Sequence, residues 1–297
     1  MNRRVHQTWT MLLVLLMGTV AFPASLAAQE GTPAESPLAG LGLPTLDVTV
    51  SAEGIDAPAE IAAGPVLLNV NNQTDGFLLV DAAQLPEGVG AEDFLALSNS
   101  EDGSLPDWIS EVTAAGAATA MPGGTGSIVV NLAAGEWMLI ADAEVDLAAI
   151  SAPLTVSGDA PADVELAADL DLELGEYVFT FPETMTAGPQ VWHVANTHSV
   201  PHHAVIFPVD RQYTAEEVVD GMTGFFMGTP VADGFSPETS IVGPSIDVPV
   251  ISAGQEIWME TNPEPGQYVA VCFISDPGSD VPHLMQGMVS SFEVTAP

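Results

Sequence analysis

Cys272 is the only cysteine among 297 residues, and it lies in "YVAVCFISDPGSDVPHLMQGMVSSFEV" together with His283, Met285 and Met288. Four further histidines, His193, His198, His202 and His203, crowd into "VWHVANTHSVPHHAVIF". With one cysteine the chain forms no internal disulfide. An unpaired thiol in an oxidising compartment is open to oxidation unless it is buried or metal-bound. A thiolate, imidazoles and a weak thioether make a donor set for copper, since soft sulfur favours the cuprous ion and imidazole suits the cupric ion. A compromise geometry lets such an ion change oxidation state with little rearrangement, which is one-electron chemistry.

These side chains must be positioned by strands. "GPVLLNVNN", "GSIVVNL" and "GEWMLIAD" are short β-rich runs bounded by turn residues, as are "YVFTF", "PQVWHVAN", "HAVIF", "EIWMET", "QYVAVCF" and "MVSSFEV". Short helices are expected at "AEDFLALS" and "TAEEVVDGM", and an ordered excursion between strands over 221–247. Ala63-Gly64-Pro65 matches Ala187-Gly188-Pro189, and Val70 and Asn72 match Val194 and Asn196, at a constant offset of 124. Further on, Gly135 pairs with Gly266 and Ala141 with Cys272. The unit is read as duplicated. The expectation is an all-β chain of two sandwiches, at 45–157 and 160–297, after a signal peptide at 1–28 and a flexible leader at 29–44.

The second unit resembles the cupredoxins, the blue (type 1) copper proteins, and especially their plastocyanin-like members. The resemblance covers roughly 165–297 and rests on three features: Pro-His opening a strand in "PHHAVIF", the cysteine ending the next-to-last strand in "YVAVC", and His283 and Met288 at the family's five-residue spacing. It implies two tandem Greek-key β-sandwiches, each with a short helix, and one type 1 copper per chain. It also implies Cys272 as thiolate ligand, His283 as loop ligand and Met288 as axial sulfur, with Met285 in reserve. His283's outer edge would meet a partner, with Leu284 and Met285 as an apolar docking rim. The upstream ligand is His202 or His203. Pro-His adjacency favours His202. Strand alternation puts His203, Val205 and Phe207 on one face, and those large apolar neighbours tilt the choice to His203, the other histidine then supporting the ligand loop. This chain departs from the family in two ways: ten residues separate Cys272 from His283, and the upstream histidine is doubled. The first unit offers Leu78 and Leu79, Ala141, and Val145 and Ile150 at the corresponding positions, and no histidine, so it reads as a degenerate copy without a metal site.

Not every polar or aromatic group need be functional. His193 alternates with apolar residues and reads as structural, His198 as an exposed turn residue, and Phe225–Gly228 as a core plug. Asp and Glu number 40 against 3 Lys and Arg. That balance excludes nucleic acid, whose phosphates need cations, and disfavours an anionic membrane surface. It suits an acidic coat, or steering toward a basic redox partner. Arg3-Arg4, an apolar run and "PASLAAQE" have the layout of a signal peptide, so the protein is expected to be secreted or held in the envelope, with no transmembrane segment in the mature chain. The copper enzymes built from cupredoxin domains carry His-X-His pairs and a histidine beside the copper cysteine; this sequence has neither, so the resemblance implies no enzyme. The alternatives are an envelope copper carrier and a metal-free structural sandwich.

Overall fold

The computed structural model describes residues 37–96, 106–143, 145, 147, 150–159, 166–182, 184–229, 234–279 and 281–297. The signal peptide and the leader before residue 37 lie outside the described residues. The fold is all-β, strands packed as sheets in two successive units, with a few helices between them. In the first unit the strands are β1 (Thr45–Ser51), β2 (Gly54–Asp56), β3 (Glu60–Ala62), β4 (Gly64–Asn72), β5 (Leu78–Gln84), β6 (Thr113–Ala120), β7 (Thr125–Leu132), β8 (Gly135–Ala143) and β9 (Ser151–Ser157). Helix α1 (Ala91–Ala96) falls between β5 and β6. The second unit has β10 (Leu170–Gly175), β11 (Val178–Thr180), β12 (Thr184–Thr186), β13 (Gln190–Asn196), β14 (His202–Val209), β15 (Ile246–Ile251), β16 (Glu256–Thr261), β17 (Gly266–Val271) and β18 (Val289–Thr295). Helices α2 (Ala215–Phe226) and α3 (Pro237–Ser240) fill the excursion between β14 and β15.

Pairings recur from unit to unit. β1 runs parallel to β4 as β10 does to β13, and β5 lies antiparallel to β8 as β14 does to β17. Asn72 donates from its side-chain amide to Gly76 and Ala120 carbonyls, and Asn196 donates to Val200 and Ile251 in the same way. Each asparagine closes the bend between two strands by satisfying backbone groups that lie outside the ladder.

The units share a sheet. An eight-stranded sheet in the order β11-β10-β13-β16-β7-β4-β1-β2 crosses both, with β16 antiparallel to β7 at Ile257–Val130, Trp258–Val129 and Met259–Ile128. Two five-stranded sheets, β12-β18-β17-β14-β15 and β3-β9-β8-β5-β6, face it. One apolar core therefore holds Leu46, Leu68 and Trp137 together with Trp192, Ile206 and Phe292. With so few cations, this burial and the sheet hydrogen bonds carry the stability.

β6 shows how closely the units approach. Its sequence, "TAAGAATA", is almost all small residues. Gly116 has φ 122°, and a Cβ there would lie 2.9 Å from Ile257 Cγ2 in the other unit. Beside it, Ser252 N–H donates to the Ala114 carbonyl and Ala114 N–H to Ser252 Oγ, each at 2.9 Å. Residues 37–44, expected as loose leader, are also engaged. Leu38–Leu41 forms a 3-10 turn, Leu38 is 1% exposed among Leu67, Val129, Val191 and Trp258, and its N–H donates to Glu260.

Helix α2 begins with a capping box, Thr214 and Glu217 each bonding the other's backbone N–H. Val218, Met222 and Phe226 recur every four residues and bury one stripe against Phe207, Val209, Val269 and Leu284. β14 and β17 are thus covered on both faces, by the core on one and by α2 on the other.

Candidate metal centre

His202 opens β14, Cys272 follows directly on β17, and His283 begins a 3-10 turn, His283–Gln286, that leads to Met288 and β18. The ten-residue Cys–His connection is pinned rather than loose. Ser275 bridges Pro282, His283 N–H donates to Ile274, and Leu284 N–H donates to the Cys272 carbonyl. Met288 N–H donates to the His283 carbonyl, and Cys272 N–H to that of Met288. Cys272, His283 and Met288 are therefore fixed by one local backbone network, and the sheet brings His202 to it.

Cys272 Sγ lies 3.5 Å from His283 Nδ1 and 3.9 Å from His202 Nδ1, and the two Nδ1 atoms are 3.0 Å apart. Dividing the product of these edges by four times the triangle's area puts the point equidistant from all three donors at about 2.0 Å from each. Metal–nitrogen bonds run to about 2.0–2.1 Å and metal–sulfur bonds to about 2.3 Å. The triangle is the size of a single first-row metal ion.

All three residues, and Met288, are 0% exposed. Met288 shares the main core with Cys272, whereas Met285 packs in the separate cluster under α2. Burial pushes His202 down to about 3, with His283 and His198 adding to the effect. Burial also holds His283 below its usual value, against the opposing pull of Asp276. Burial pushes the Cys272 thiol up to about 12, although backbone N–H groups of His203 and Ile274 point at the sulfur and favour its thiolate. The imidazoles are thus neutral, which is their metal-binding form. A bound cation would supply the charge that lets the thiol ionise.

Outer partners orient both rings. The Asp276 carboxylate accepts from His283 Nε2 at 3.1 Å, so the proton sits on Nε2 and Nδ1 presents its lone pair inward. Asp276 also accepts from the Tyr177 hydroxyl at 2.7 Å. Burial opposes the charge on Asp276, but bonds from Tyr177, His283 and Gln286 outweigh it and hold the carboxyl below the usual carboxylate range. His202 Nε2 lies 3.0 Å from His198 Nδ1, with the two rings stacked. The Tyr177 ring stands edge-on to His198, His202 and His283 at 5.2, 6.2 and 5.0 Å.

The structure differs from the sequence reading at several residues. His202, and not His203, joins Cys272 and His283. His203 is 4% exposed on the α2 side, where its Nε2 accepts from Phe273 N–H at 2.8 Å. Alternation misleads here because both faces of β14 are buried: Ala204 and Ile206 are 0% exposed on one, Phe207 5% on the other. A register shift between His202 and Ala204 also interrupts the pairing with β15. Leu284 makes no docking rim, being 0% exposed under α2, and Met285 is half-buried beside it. The outer edge of His283 meets Asp276 rather than open solvent. His198 is half-buried against His202 instead of projecting from a turn. His193 bonds Asp171 and Glu256 and stacks on Trp258, a structural arrangement. In Phe225–Gly228, Phe226 is buried while Met227 is exposed. Asp276 and Tyr177 escaped sequence reasoning altogether; the only signal was an acid inside the ligand loop.

In the first unit Leu78 opens β5 as His202 opens β14. The Ala141 N–H donates to the Ile150 carbonyl as Cys272 does to Met288. Apolar residues thus stand where the second unit has its donors.

No protein-family model matches the chain, and no curated protein matches it. Among solved structures it is similar to the dithionite-reduced auracyanin of Roseiflexus castenholzii, at 17% identity over 43% of this chain and 94% of that one, with a TM-score of 0.26. Auracyanin A, a "blue" copper protein of Chloroflexus aurantiacus, is 16% identical over 43% of this chain and 98% of that one, with a TM-score of 0.25. A multi-copper oxidase from Pediococcus acidilactici is 11% identical over 87% of this chain and 62% of that one, with a TM-score of 0.23. At these scores the description of the fold rests on the strand pairing alone.

Proposed function

We propose that this chain is an exported type 1 copper protein that carries single electrons between redox partners. One copper ion would be held by His202 Nδ1, Cys272 Sγ and His283 Nδ1, and Met288, buried in the same core as Cys272, would offer a weak thioether donor. The observation that carries the reading is the convergence of three buried donors on a point about 2.0 Å from each. When bound, copper supplies a one-electron couple, and the chain supplies the rest. The backbone network around Cys272 and the bonds to His198 and Asp276 hold the donors still, which keeps rearrangement small. The 0% exposure of all three donors would shield a bound ion from water and disfavours the rapid exchange a copper carrier needs. We read the protein as non-enzymatic, since His193, His198 and His203 are engaged in bonds of their own. The large acidic excess favours a basic partner, and the first unit serves as scaffold. Among the described residues no helix is long and apolar enough to cross a membrane.

Adding Cu(II) to the purified metal-free chain is expected to give an intense visible thiolate-to-copper absorption at one ion per chain, absent in Cys272→Ala. A colourless Cu(II) adduct would refute the electron-transfer reading. Rapid loss of bound copper to an acceptor protein would favour a carrier instead.

A further inference from the structure

The turn joining β10 to β11 places a tyrosine where backbone sterics disfavour one. Among the described residues Tyr177 is the one non-glycine residue with positive φ, at 53°. In the first unit's hairpin, where Ser51 pairs with Gly54 as Gly175 pairs with Val178, Glu53 holds the matching turn position without a positive φ. A bulky side chain held at positive φ persists only where its surroundings over-determine it, and such positions cluster at functional sites. What surrounds Tyr177 is the ring group of His198, His202 and His283, together with the Asp276 carboxylate. Asp276 in turn bonds His283 Nε2. His283 is 0% exposed, whereas the Asp276 side chain is 25% exposed. The tyrosine and the aspartate therefore stand between the imidazole and solvent.

We propose that Tyr177 and Asp276 form a latch over the metal site. Asp276 is a positioning residue that holds His283 with Nδ1 inward, and the Tyr177 ring seals the edge formed by the three histidines. The proposal rests on the copper reading above and adds to it what governs access. A closed latch keeps small anions away from the ion and slows its escape, so electrons pass while ligands do not. The second unit thus accepts at Tyr177 a backbone conformation that the first does not adopt at Glu53.

The test uses the full chain as wild type, Tyr177→Gly, Tyr177→Phe and Asp276→Ala. Glycine suits the left-handed backbone, so Tyr177→Gly removes the ring without imposing new strain. In the copper-loaded proteins, Tyr177→Gly and Asp276→Ala are expected to release copper to excess chelator about tenfold or more faster than wild type. Tyr177→Gly should also give a new charge-transfer band with azide. Tyr177→Phe keeps the ring and loses only the bond to Asp276, so it should resist azide and release copper at an intermediate rate. Asp276→Ala should shift the reduction potential, which a purely structural role would leave in place. Wild-type release rates and azide resistance in both Tyr177→Gly and Asp276→Ala would overturn the latch. If the wild type shows no thiolate band at all, the copper reading has failed and the metal-free chains decide the latch separately. Cys272 should then react with a disulfide reagent about tenfold or more faster in Tyr177→Gly, and equal rates would overturn it.

Discussion

Substituting phenylalanine for each of the paired histidines tests the assignment of adjacent residues to opposite faces of β14. His203→Phe removes the acceptor that Phe273 N–H uses at 2.8 Å, at a residue 4% exposed. A buried donor left without a partner costs about 1–3 kcal/mol. Proton linkage works the other way. Burial depresses His203 from 6.5 to about 4, with the neighbouring His283 adding to it. That difference is worth about 3 kcal/mol in full. Because the folded value is the lower one, this stability is fully present above the unfolded value of 6.5 and is lost as pH falls through about 4, the unfolded chain taking the proton first. Near pH 4.5 the wild type has already given up most of this through His203, and the phenylalanine variant gives up none. Urea unfolding of the metal-free proteins should therefore show His203→Phe less stable by about 1–3 kcal/mol at neutral pH, and level with or ahead of wild type near pH 4.5. With Cu(II) added, His203→Phe should keep the visible thiolate band and His202→Phe should lose it. The reverse pattern of colour, or a stability difference that does not change with pH, would refute the placement.

Two further outcomes follow from the packing. Gly116→Val puts a Cβ 2.9 Å from Ile257 Cγ2 at a residue with φ 122°. It should destabilise the chain by about 2–4 kcal/mol in urea unfolding, from backbone strain and overpacking together, and a loss below about 0.5 kcal/mol would show that the units do not pack as closely as described. Met288→Leu should keep the visible band while raising the reduction potential, because losing a weak sulfur donor costs the oxidised ion more. Met285→Leu, in the cluster under α2, should leave the potential unchanged, and equal shifts in the two variants would contradict Met288 as the thioether donor.

Much of the secondary structure was readable locally. The run "GPVLLNVNN" coincides with β4 and "EIWMET" with β16, because β-rich residues between turn formers carry their own signal. β6 was missed for the opposite reason. Its Gly116 leaves room for Ile257 and Ile251, a demand set by residues more than a hundred positions away. The "TAEEVVDGM" helix was visible in its cap and early acids, but its extension to Phe226 depends on the apolar surface of β14 and β17 that it covers.

From residue types and spacing alone came the all-β character, the donor set of one thiol with histidines and methionines, and its confinement to the second unit. Those features follow from local propensity and from which side chains carry lone pairs. Tertiary structure put His202 rather than His203 beside Cys272 and His283, turned Leu284 into core, tied the Cys–His connection down, and set Asp276, Tyr177 and His198 around the rings. Each of these depends on which face of a doubly covered strand points at Cys272, and on which loop lies above it. A two-residue alternation cannot tell one buried face from another, and only the folded chain brings a turn at 176–177 against a loop at 276–283.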